Sequence, residues 1–448
     1  MLNETHRSDL RSWVDSANDP ATDFPIQNLP LGIVRPRGGA PREPWRVGAA
    51  IGSCVVDLAA AAHSGLLEGG ASRAGARCAA ASLNGLMALD PAHWTALRVQ
   101  LSRLLRADTP EGERARRLRQ AVLLDVADVE VTLPAEIGDY TDFYASRHHA
   151  LNVGKMLRPD QPLLPNYAWV PIGYHGRASS IVVSGTPVRR PRGQRAPDGQ
   201  GTPVFAPSAR LDYEAEVGFF VGTGNALGEP VPIERAARYL FGASLLNDWS
   251  ARDIQAWEYQ PLGPFLAKSF ATTLSPWVVT MDALAPFRVA ASPRAAGDPA
   301  PLPYLTAPED AAEGGIDVRI EVLLRTARMR REGVPAARLS RGTLAELYWT
   351  PAQLLTHHTS NGCNLRPGDL LGSGTVSGPT REQRGCLLEL TWRGAEPLAL
   401  PTGEERRFLE DGDEVILRGS CEREGFARIG FGECSGVVMA PPAVTGDG

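Results

Sequence analysis

The chain has 448 residues, of which 43% are hydrophobic and 22% are charged, and its formal net charge is −5. This composition is typical of a water-soluble globular protein with a sizeable core. The net negative charge argues against the broad basic surface that nucleic-acid binding requires. No apolar run is long enough to span a bilayer, and the N-terminus lacks the apolar region of a signal peptide. We therefore expect a cytoplasmic protein without nucleic-acid or membrane partners, whose six dispersed cysteines are free thiols.

Residues 1–131 have the pattern of a separate N-terminal domain. Two segments predict short strands with turns between them, DFPIQNLPLGIVRP and WRVGAAIGSCVVDL. Asp90 and Thr109 each precede a proline, which is typical of a capping residue followed by the first residue of a helix. We predict helices over 92–107 and 111–121, followed by an extended connector over 129–134.

Residues 132–448 predict a second domain that is rich in β-strands. Short hydrophobic runs alternate with glycine and proline turns, as in SSIVVSGTPVRRP, IDVRIEVLLRT, CLLELTW and GDEVILRG. Helices are predicted in DFYASRHHALNVG, where Gly154 would end the helix, and over 349–359. A third helix is predicted from Ser250, which has capping-box spacing to Asp253. The segment 286–315, rich in alanine and proline, is predicted to be a surface insertion. The predicted fold class is therefore mostly β (α+β).

The segment LDYEAEVGFFVG, residues 211–222, carries the strongest chemical signal. Strand side chains alternate between two faces, so Glu214 and Glu216 are predicted to point the same way. Two carboxylates side by side on a buried face repel each other, and a bound cation would remove that repulsion. Asp248 follows an apolar run, and Asp142 lies upstream in DYTDFYASRHHALNVG. These acidic side chains together predict a cation site.

A polar helix face is predicted directly after Asp248. Arg252, Gln255 and Tyr259 are spaced three and four residues apart, which places a guanidinium, an amide and a phenol on one side of a helix. On spacing alone, a solvated polar face accounts for this pattern equally well. The apolar run before Asp248 favours a functional face, because it predicts that this segment enters the protein interior.

The histidines offer several candidates for a general base. Asp142 and His149 are seven residues apart, which predicts one helical face that would pair an acid with an imidazole. His148 would then face elsewhere on the same helix. His175, in GYHGR, is a competing candidate. Two further histidines are predicted to lie on a structural helix, His357 and His358.

Long motifs in the second domain resemble the fumarylacetoacetate hydrolase family. The resemblance is carried by DYTDFYASRHHALNVGKMLR, LLPNYAWVPIGYHGRASSIVVSGTPVRRPRGQ, LDYEAEVGFFVGTGNALGEPVPI, LLNDWSARDIQAWEYQPLGPFLAKSFATTLSPWVV and HHTSNGCNLRPGDLLGSGTVSGP. It covers nearly all of 135–445 apart from 286–315, and the N-terminal DFPIQNLPLGIV fits more loosely. The resemblance implies a small N-terminal SH3-like β-barrel, then a mixed β-roll catalytic domain, in a homodimer.

The resemblance also implies a role for individual positions. It implies four ligands for Ca²⁺ and/or Mg²⁺, which are Asp142, Glu214, Glu216 and Asp248. It also implies that Lys268 and Thr272 surround a magnesium site that uses Asp248 as well. It implies that His149 is the general base and that Glu389 orients it. The implied oxyanion donors are Arg252, Gln255 and Lys268. The implied substrate-binding residues are Tyr144, Arg158, Tyr174, Gln255, Tyr259 and Thr375.

The activity implied by the resemblance is metal-dependent hydrolysis of a carbon–carbon bond in a diketo dicarboxylic acid. The substrate would be 4-fumarylacetoacetate, and the products fumarate and acetoacetate, at the last step of tyrosine and phenylalanine breakdown. One alternative is a hydrolase or decarboxylase of another acylpyruvate-type diketo acid. Another is a non-catalytic calcium-binding scaffold, which would keep the carboxylates without needing the base and the oxyanion donors.

Overall fold

The computed structural model describes residues 2–38, 43–196 and 201–441. The N-terminal part forms an antiparallel sheet in the order β4-β3-β2-β1-β5. Its strands are β1 (Leu31–Pro36), β2 (Arg46–Ile51), β3 (Cys54–Asp57), β4 (Leu123–Asp125) and β5 (Val129–Thr132). Its helices are α1 (Leu58–His63), α2 (Gly69–Gly75), α3 (Asn84–Met87), α4 (Pro91–Leu105), α5 (Pro110–Arg117) and α6 (Arg119–Val122). Closure of this sheet into an SH3-like barrel stays a prediction.

Helix capping in the N-terminal part follows the sequence. The Asp90 side chain accepts a hydrogen bond from the Ala92 amide at the start of α4, and Thr109 accepts from Gly112 at the start of α5. The segment predicted to be a connector is instead strand β5, which pairs antiparallel with β1. The polar backbone groups of this segment are thus satisfied by the edge of the sheet.

The second part is strand-rich and contains two large sheets. The strands are β6 (Tyr140–Phe143), β7 (Gly173–His175), β8 (Ile181–Val183), β9 (Val188–Arg189), β10 (Arg192–Arg195), β11 (Val204–Pro207), β12 (Leu211–Asp212), β13 (Ala215–Val221), β14 (Leu240–Asp248), β15 (Ser250–Ala251), β16 (Thr272–Leu274), β17 (Val279–Thr280), β18 (Arg288–Val289), β19 (Gly315–Ile316), β20 (Arg319–Arg325), β21 (Ala337–Thr343), β22 (Leu370–Gly372), β23 (Leu398–Ala399), β24 (Glu405–Arg406), β25 (Glu414–Cys421) and β26 (Ile429–Met439). The helices are α7 (Arg147–Leu157), α8 (Ile233–Ala236), α9 (Arg252–Glu258), α10 (Pro308–Glu313), α11 (Ala327–Glu332), α12 (Pro351–Thr359) and α13 (Leu387–Leu390).

The two large sheets pack against each other. The central sheet runs β7-β6-β22-β13-β14-β16-β8, with β17 also paired to β14. The outer sheet runs β21-β20-β25-β26-β9. Parallel pairs occur between β6 and β22, β8 and β16, and β9 and β26, whereas the other pairs in these sheets are antiparallel. The second domain is therefore a mixed, strand-rich structure.

The central sheet separates two hydrophobic clusters. Phe219 and Leu245 contribute to the cluster shared with the outer sheet, whereas Phe220 and Leu246 contribute to the cluster shared with the N-terminal part. Neighbouring residues of a strand point to opposite faces, which explains this division. The hydrophobic core thus continues across the predicted boundary near residue 131, and the boundary itself stays a prediction.

Several predicted elements of the second domain differ in the structure. Asp142 lies on strand β6, because backbone pairing with β22 and β7 holds this segment extended, and helix α7 begins only at Arg147. Gly154 lies inside α7 rather than at its end. A Cβ at this position would come within 1.8 Å of the Pro162 carbonyl oxygen, so glycine permits the close approach of the following chain.

Three further corrections concern local structure. Ser250 lies on strand β15 opposite Asp212, and the helix begins at Arg252 without the predicted capping box. The segment CLLELTW, predicted to be a strand, contains the short helix α13. The segment 286–315 is not purely a surface insertion, since Phe287 and Leu305 are buried in the core.

All six cysteines lie in the described residues and are free thiols, as the sequence predicts. Within 2–38, 43–196 and 201–441, no helix combines the length and apolar character that crossing a membrane requires.

Candidate active site

Four carboxylates meet at one place in the central sheet. Asp142 lies on β6, Glu216 on β13 and Asp248 at the end of β14, while Glu214 immediately precedes β13. Each offers an oxygen atom, and these four atoms lie within 4.8 Å of one another. All four side chains are buried. The adjacency of β6, β22, β13 and β14 therefore gathers residues that are far apart in the sequence.

Three side chains donate hydrogen bonds to the carboxylates. The Lys268 Nζ atom donates to Glu214 and, at 2.6 Å, to Asp248 Oδ2. The Tyr174 hydroxyl donates to Asp142 Oδ2 at 2.8 Å and to Asp248 Oδ2 at 2.9 Å. The Thr272 hydroxyl donates to Asp248 Oδ1 at 3.0 Å. A further donor, Arg252, forms an ion pair with Glu214 at 2.9 Å.

These contacts compensate the four negative charges unevenly. Burial and a neighbouring carboxylate raise the pKa of Asp142 to about 8. Burial and adjacent carboxylates hold the pKa of Glu216 well above its ordinary value. Burial would also raise the pKa of Glu214, but the positive charges of Lys268 and Arg252 outweigh it and place this pKa well below its usual range.

Several buried oxygen atoms of the cluster have no hydrogen-bond partner among the residues that the structure describes. They are Asp142 Oδ1 and both carboxylate oxygens of Glu216. Buried polar atoms are rarely left unpaired, because their desolvation is then uncompensated. Oxygen-rich carboxylate clusters are the donor sets that Ca²⁺ and Mg²⁺ prefer. The residues present therefore fit a hard divalent cation.

Gly372 keeps the space around this cluster open. It pairs with Asp142 between β22 and β6. A Cβ at Gly372 would lie 2.7 Å from Asp142 Oδ1 and 3.2 Å from the Tyr140 hydroxyl. Any other residue would therefore displace a carboxylate of the cluster, so the absence of a side chain at this position is part of the site.

A second buried group stands beside the carboxylates. His149 lies in the first turn of α7, where its amide donates to the Ser146 side chain at the helix N-terminus. Its Nδ1 atom is 2.6 Å from Glu389 Oε2. Its Nε2 atom is 4.0 Å from Glu214 Oε1. The imidazole therefore has one nitrogen held by Glu389 and the other directed toward the carboxylate cluster.

Glu389 is held by several donors besides His149. Asn152 Nδ2 donates to its Oε1 atom at 2.8 Å, the Ser377 hydroxyl donates to Oε2 at 2.8 Å, and Cys386 Sγ lies 3.2 Å from Oε2. Burial opposes ionisation, but the charge and hydrogen bond of His149, with the other donors, lower the pKa of Glu389 to about 2. Glu389 is therefore an ionised, fully hydrogen-bonded carboxylate.

Arg252 and Gln255 lie on one face of α9, as predicted. Arg252 Nη1 donates to Gln255 Oε1 at 3.1 Å, so the amide group of Gln255 is left to donate elsewhere. Arg252 Nη2 is buried, and no described residue forms a hydrogen bond with it. Together with Lys268, these side chains supply N–H donors beside the carboxylates and His149.

Most of these groups line one cavity of about 1020 Å³. The Tyr144 ring stands edge-on to His149, with the centroids 5.3 Å apart. The Thr375 hydroxyl and Arg158 Nε are buried without hydrogen-bond partners among the described residues. The cavity wall contains every predicted substrate-binding residue, namely Tyr144, Arg158, Tyr174, Gln255, Tyr259 and Thr375. Asp248 and Thr272 adjoin this wall through hydrogen bonds, and Glu389 adjoins it through His149.

The other histidines lie outside this arrangement. His175 is exposed at the end of β7, and His148 is beside Glu346, with 3.5 Å between Nε2 and Oε2. His357 contacts the Tyr304 hydroxyl at 3.0 Å, and His358 contacts the Thr141 hydroxyl at 2.8 Å. None of these four side chains lines the cavity. His149 is therefore the histidine that faces it.

Some residues of the site were not predicted. Asn152 holds Glu389, and its position three residues after His149 on the same helix face was an available signal. Ser377 also holds Glu389, although only the fold brings them together. Asp212 accepts a hydrogen bond from Arg252 Nε at 2.9 Å. The strand alternation that relates Glu214 to Glu216 also includes Asp212, and this signal was missed.

Known proteins are similar to this chain over nearly its full length. Residues 139–439 match the family model described as fumarylacetoacetate (FAA) hydrolase C-terminal, and 27–134 match fumarylacetoacetase N-terminal. The fumarylacetoacetase of Bos taurus is 49% identical over 431 residues, which are 96% of this chain and 98% of that protein. The fumarylacetoacetase of Oryza sativa subsp. japonica is 46% identical over 437 residues, covering 97% and 99%.

One solved structure is similar to this chain at low sequence identity. The fumarylacetoacetate hydrolase from psychrophilic Exiguobacterium antarcticum covers 92% of this chain and 99% of that chain, with 17% sequence identity and a TM-score of 0.48. The family-model matches and the relatives of 46% to 49% identity span nearly the whole sequence. The chain belongs to the fumarylacetoacetate hydrolase family.

Proposed function

We propose that this chain hydrolyses the carbon–carbon bond of 4-fumarylacetoacetate and releases fumarate and acetoacetate. One observation carries the proposal. His149, which is paired with the buried Glu389, lines the same cavity as three of the four clustered carboxylates, and its Nε2 atom is only 4.0 Å from Glu214 Oε1. A base beside a cation site is the combination that adding water to a diketone requires. The fumarylacetoacetases that resemble the chain over nearly its full length support the same reaction.

His149 prepares the nucleophile in this mechanism. Its Nε2 atom takes a proton from water, and the resulting hydroxide adds to the substrate carbonyl carbon. Glu389 fixes the Nδ1–H tautomer and stabilises the imidazolium that forms, because it is ionised and 2.6 Å from Nδ1. The carbon–carbon bond then breaks, and its electron pair leaves with the acetoacetate carbon as an enolate, which a proton converts to acetoacetate.

Three donors stabilise the alkoxide formed by this addition. Arg252 Nη2, the amide of Gln255 and the ammonium of Lys268 are positioned around the cavity before any substrate arrives. Preorganised donors of this kind are effective because they need no reorientation as charge develops. Arg158 and four hydroxyl groups of the cavity hold the substrate's carboxylates and keto oxygens. The hydroxyl groups are those of Tyr144, Tyr174, Tyr259 and Thr375.

The cation ligands in this proposal are Asp142, Glu214, Glu216 and Asp248. When bound, Ca²⁺ or Mg²⁺ supplies positive charge for the diketone oxygens and for the enolate. Lys268 has no free lone pair when protonated, so it balances the charge of Glu214 and Asp248 rather than binding the cation. Thr272 orients Asp248 through its hydroxyl.

The wider setting of this activity is also a proposal. The reaction is the last step of tyrosine and phenylalanine breakdown, and the chain acts as a cytoplasmic homodimer. Its organisation into residues 1–131 and 132–448, with the first part forming an SH3-like barrel, belongs to the same proposal. The matches to an N-terminal and a C-terminal family model support two domains.

Ultraviolet absorbance of the diketo substrate tests the function. We expect absorbance to fall on mixing 4-fumarylacetoacetate with the cation-loaded protein, and both products to appear in equal amounts. A shorter acylpyruvate serves as the competing substrate, and a higher kcat/KM for it would contradict the proposed specificity. Stabilisation by Ca²⁺ without turnover of either compound would instead support the non-catalytic scaffold.

A further inference from the structure

A single buried carboxylate, Asp212, connects the two halves of the candidate active site. It does not line the cavity and is fully buried. It lies on β12, which pairs with β15, immediately before the segment that carries Glu214. Because it cannot reach a substrate, any effect on catalysis must pass through the side chains and backbone groups that it contacts.

The Asp212 carboxylate accepts four hydrogen bonds. Its Oδ1 atom accepts from the amides of Tyr213 at 2.9 Å and Leu387 at 2.8 Å. Its Oδ2 atom accepts from the Leu388 amide at 3.0 Å and from Arg252 Nε at 2.9 Å. Leu387 and Leu388 are the first two residues of helix α13, whose amides have no partner within the helix. Asp212 thus anchors the start of α13 and the guanidinium of Arg252 with one side chain.

The start of α13 and the Arg252 guanidinium, which Asp212 holds, are both adjacent to side chains with a role in the proposed reaction. Glu389 follows Leu388 on α13 and holds His149 at 2.6 Å. On the other side, Arg252 donates to Gln255 and forms an ion pair with Glu214. A small displacement of α13 relative to α9 would therefore separate the base from the oxyanion donors. A misplacement of about 1 Å in such a constellation can cost about 10²-fold in rate.

We propose that Asp212 is a positioning residue that fixes the His149–Glu389 pair relative to the Arg252–Gln255 donors. The inference rests on the proposed function, because it concerns the rate of that reaction. It predicts a loss in kcat with little change in KM, since Asp212 touches neither the substrate cavity nor the residues that bind the substrate's carboxylates.

The chain offers a matched control in Asp413. This residue is also fully buried, and it accepts hydrogen bonds from Arg406 Nε at 2.8 Å, Arg406 Nη2 at 3.0 Å and the Glu410 amide at 2.8 Å. It therefore combines an arginine and a backbone amide as Asp212 does, but neither Asp413 nor its partners line the cavity. Asp413→Asn reports the cost of weakening a buried aspartate–arginine contact whose own residues do not line the cavity.

The first experiment compares Asp212→Asn with Asp413→Asn in the full chain, using steady-state kinetics and thermal unfolding. We expect both variants to lower Tm. Asp212→Asn should reduce kcat by about 10²-fold with KM nearly unchanged, whereas Asp413→Asn should retain the wild-type kcat. An Asp212→Asn variant that folds and keeps the wild-type kcat would overturn the inference. If Asp212→Asn does not fold, Asp212→Glu, which keeps the charge but moves the carboxylate, carries the same test with the same outcomes.

A double-mutant cycle separates positioning from a general structural effect. If Asp212 acts through Glu389, adding Asp212→Asn to Glu389→Gln should cost much less than it does in the wild type. Adding Asp413→Asn should leave the kcat of Glu389→Gln unchanged. Losses that multiply in the Asp212–Glu389 pair would overturn the inference. Absence of turnover in the wild type would refute the proposed function instead, so the two failures are distinguishable.

Discussion

The carboxylate cluster and the His149–Glu389 pair are both buried, yet their hydrogen bonding is opposite. Every oxygen of Glu389 has a donor within the protein, and its pKa is lowered to about 2. In the cluster, Asp142 and Glu216 keep oxygens without partners, and their pKa values are raised. The contrast teaches that the described residues satisfy every oxygen of Glu389, whereas they leave oxygens of the cluster unpaired, where a metal ion could bind.

Cation removal should have the largest effect, because it acts on all four carboxylates of the cluster at once. Exhaustive chelation is expected to abolish turnover and to lower Tm, since the four carboxylates lose the charge that balances them. Adding Ca²⁺ or Mg²⁺ should restore both properties. Turnover and Tm are measured on the same chelated sample, with its metal content determined. Full activity in metal-free protein would contradict the assigned role of the cluster.

Removing the base should have the next largest effect. His149→Ala is expected to reduce kcat by about 10²–10⁴-fold, the range for loss of a general acid–base group. His148→Ala is the control, because its side chain lies beside Glu346 and outside the cavity. It should leave kcat nearly unchanged. Equal losses in the two variants, measured by steady-state kinetics, would show that the wrong histidine has been assigned.

Gln255→Ala should lower kcat by about 10²–10³-fold with KM nearly unchanged, as expected for one oxyanion donor. Arg252 donates to its side-chain oxygen, and in the proposed function its amide donates to charge that develops only in the transition state. Tyr259→Phe should mainly raise KM, because a hydrogen bond to the bound substrate is lost. Steady-state kinetics on both variants measure this difference. A tenfold rise in KM at constant kcat for Gln255→Ala would make Gln255 a substrate-binding residue instead.

The pH dependence of stability should be a smaller effect that distinguishes the two regions. The pKa of Asp142 in the folded protein, about 8, is above its ordinary value of 3.8, so folding favours its protonated form. The resulting stability is present below the ordinary value and is lost as the pH rises through about 8. In metal-free protein, Tm is therefore expected to fall between about pH 4 and 8 and to level off above pH 8.

A divalent cation should suppress this fall, because it stabilises the ionised carboxylates. Glu216→Gln should weaken the fall in metal-free protein, since it removes one of the interacting charges. Thermal unfolding across this pH range, with and without Ca²⁺, measures both effects. A metal-free Tm that stays constant or rises between about pH 4 and 8 would be evidence against the charge imbalance.

Cys386→Ala should have the smallest effect. The thiol is a weak donor, and Glu389 keeps the stronger hydrogen bonds from His149, Asn152 and Ser377. We expect kcat to fall by less than about tenfold, which corresponds to roughly 1.4 kcal/mol of transition-state stabilisation. The measurement is kcat at constant folded fraction. A loss as large as that of His149→Ala would mean that the pair is not fully held by its other donors.

The sequence predicted best where neighbouring residues of one element form the site. The two-residue alternation in LDYEAE correctly brought Glu214 and Glu216 together, and helical spacing placed Arg252 and Gln255 on one face. These relations depend on local backbone geometry, so they survive without knowledge of the fold. The resemblance to a family then related His149 to Glu389, which lie 240 residues apart.

The sequence failed where distant contacts decide local structure. Asp142 was predicted on a helix with His149, but strand pairing with β22 and β7 holds it extended. Glu389 was predicted on a strand, but it lies on helix α13. The first amide of this helix donates to Asp212, which is 175 residues away in the sequence. Such contacts have no local pattern, because only the assembled sheet brings the partners together.

The division of the central sheet also limits how small a working catalyst could be made. Asp142, Glu216 and Asp248 share their sheet face with Tyr140, Phe220 and Leu246, which pack against the N-terminal part. Trp94 extends this packing by meeting Phe241 edge-on, with 5.0 Å between the ring centroids. Removing the N-terminal part would expose a hydrophobic surface next to the carboxylates. A shortened version would therefore need that surface redesigned rather than simply uncovered.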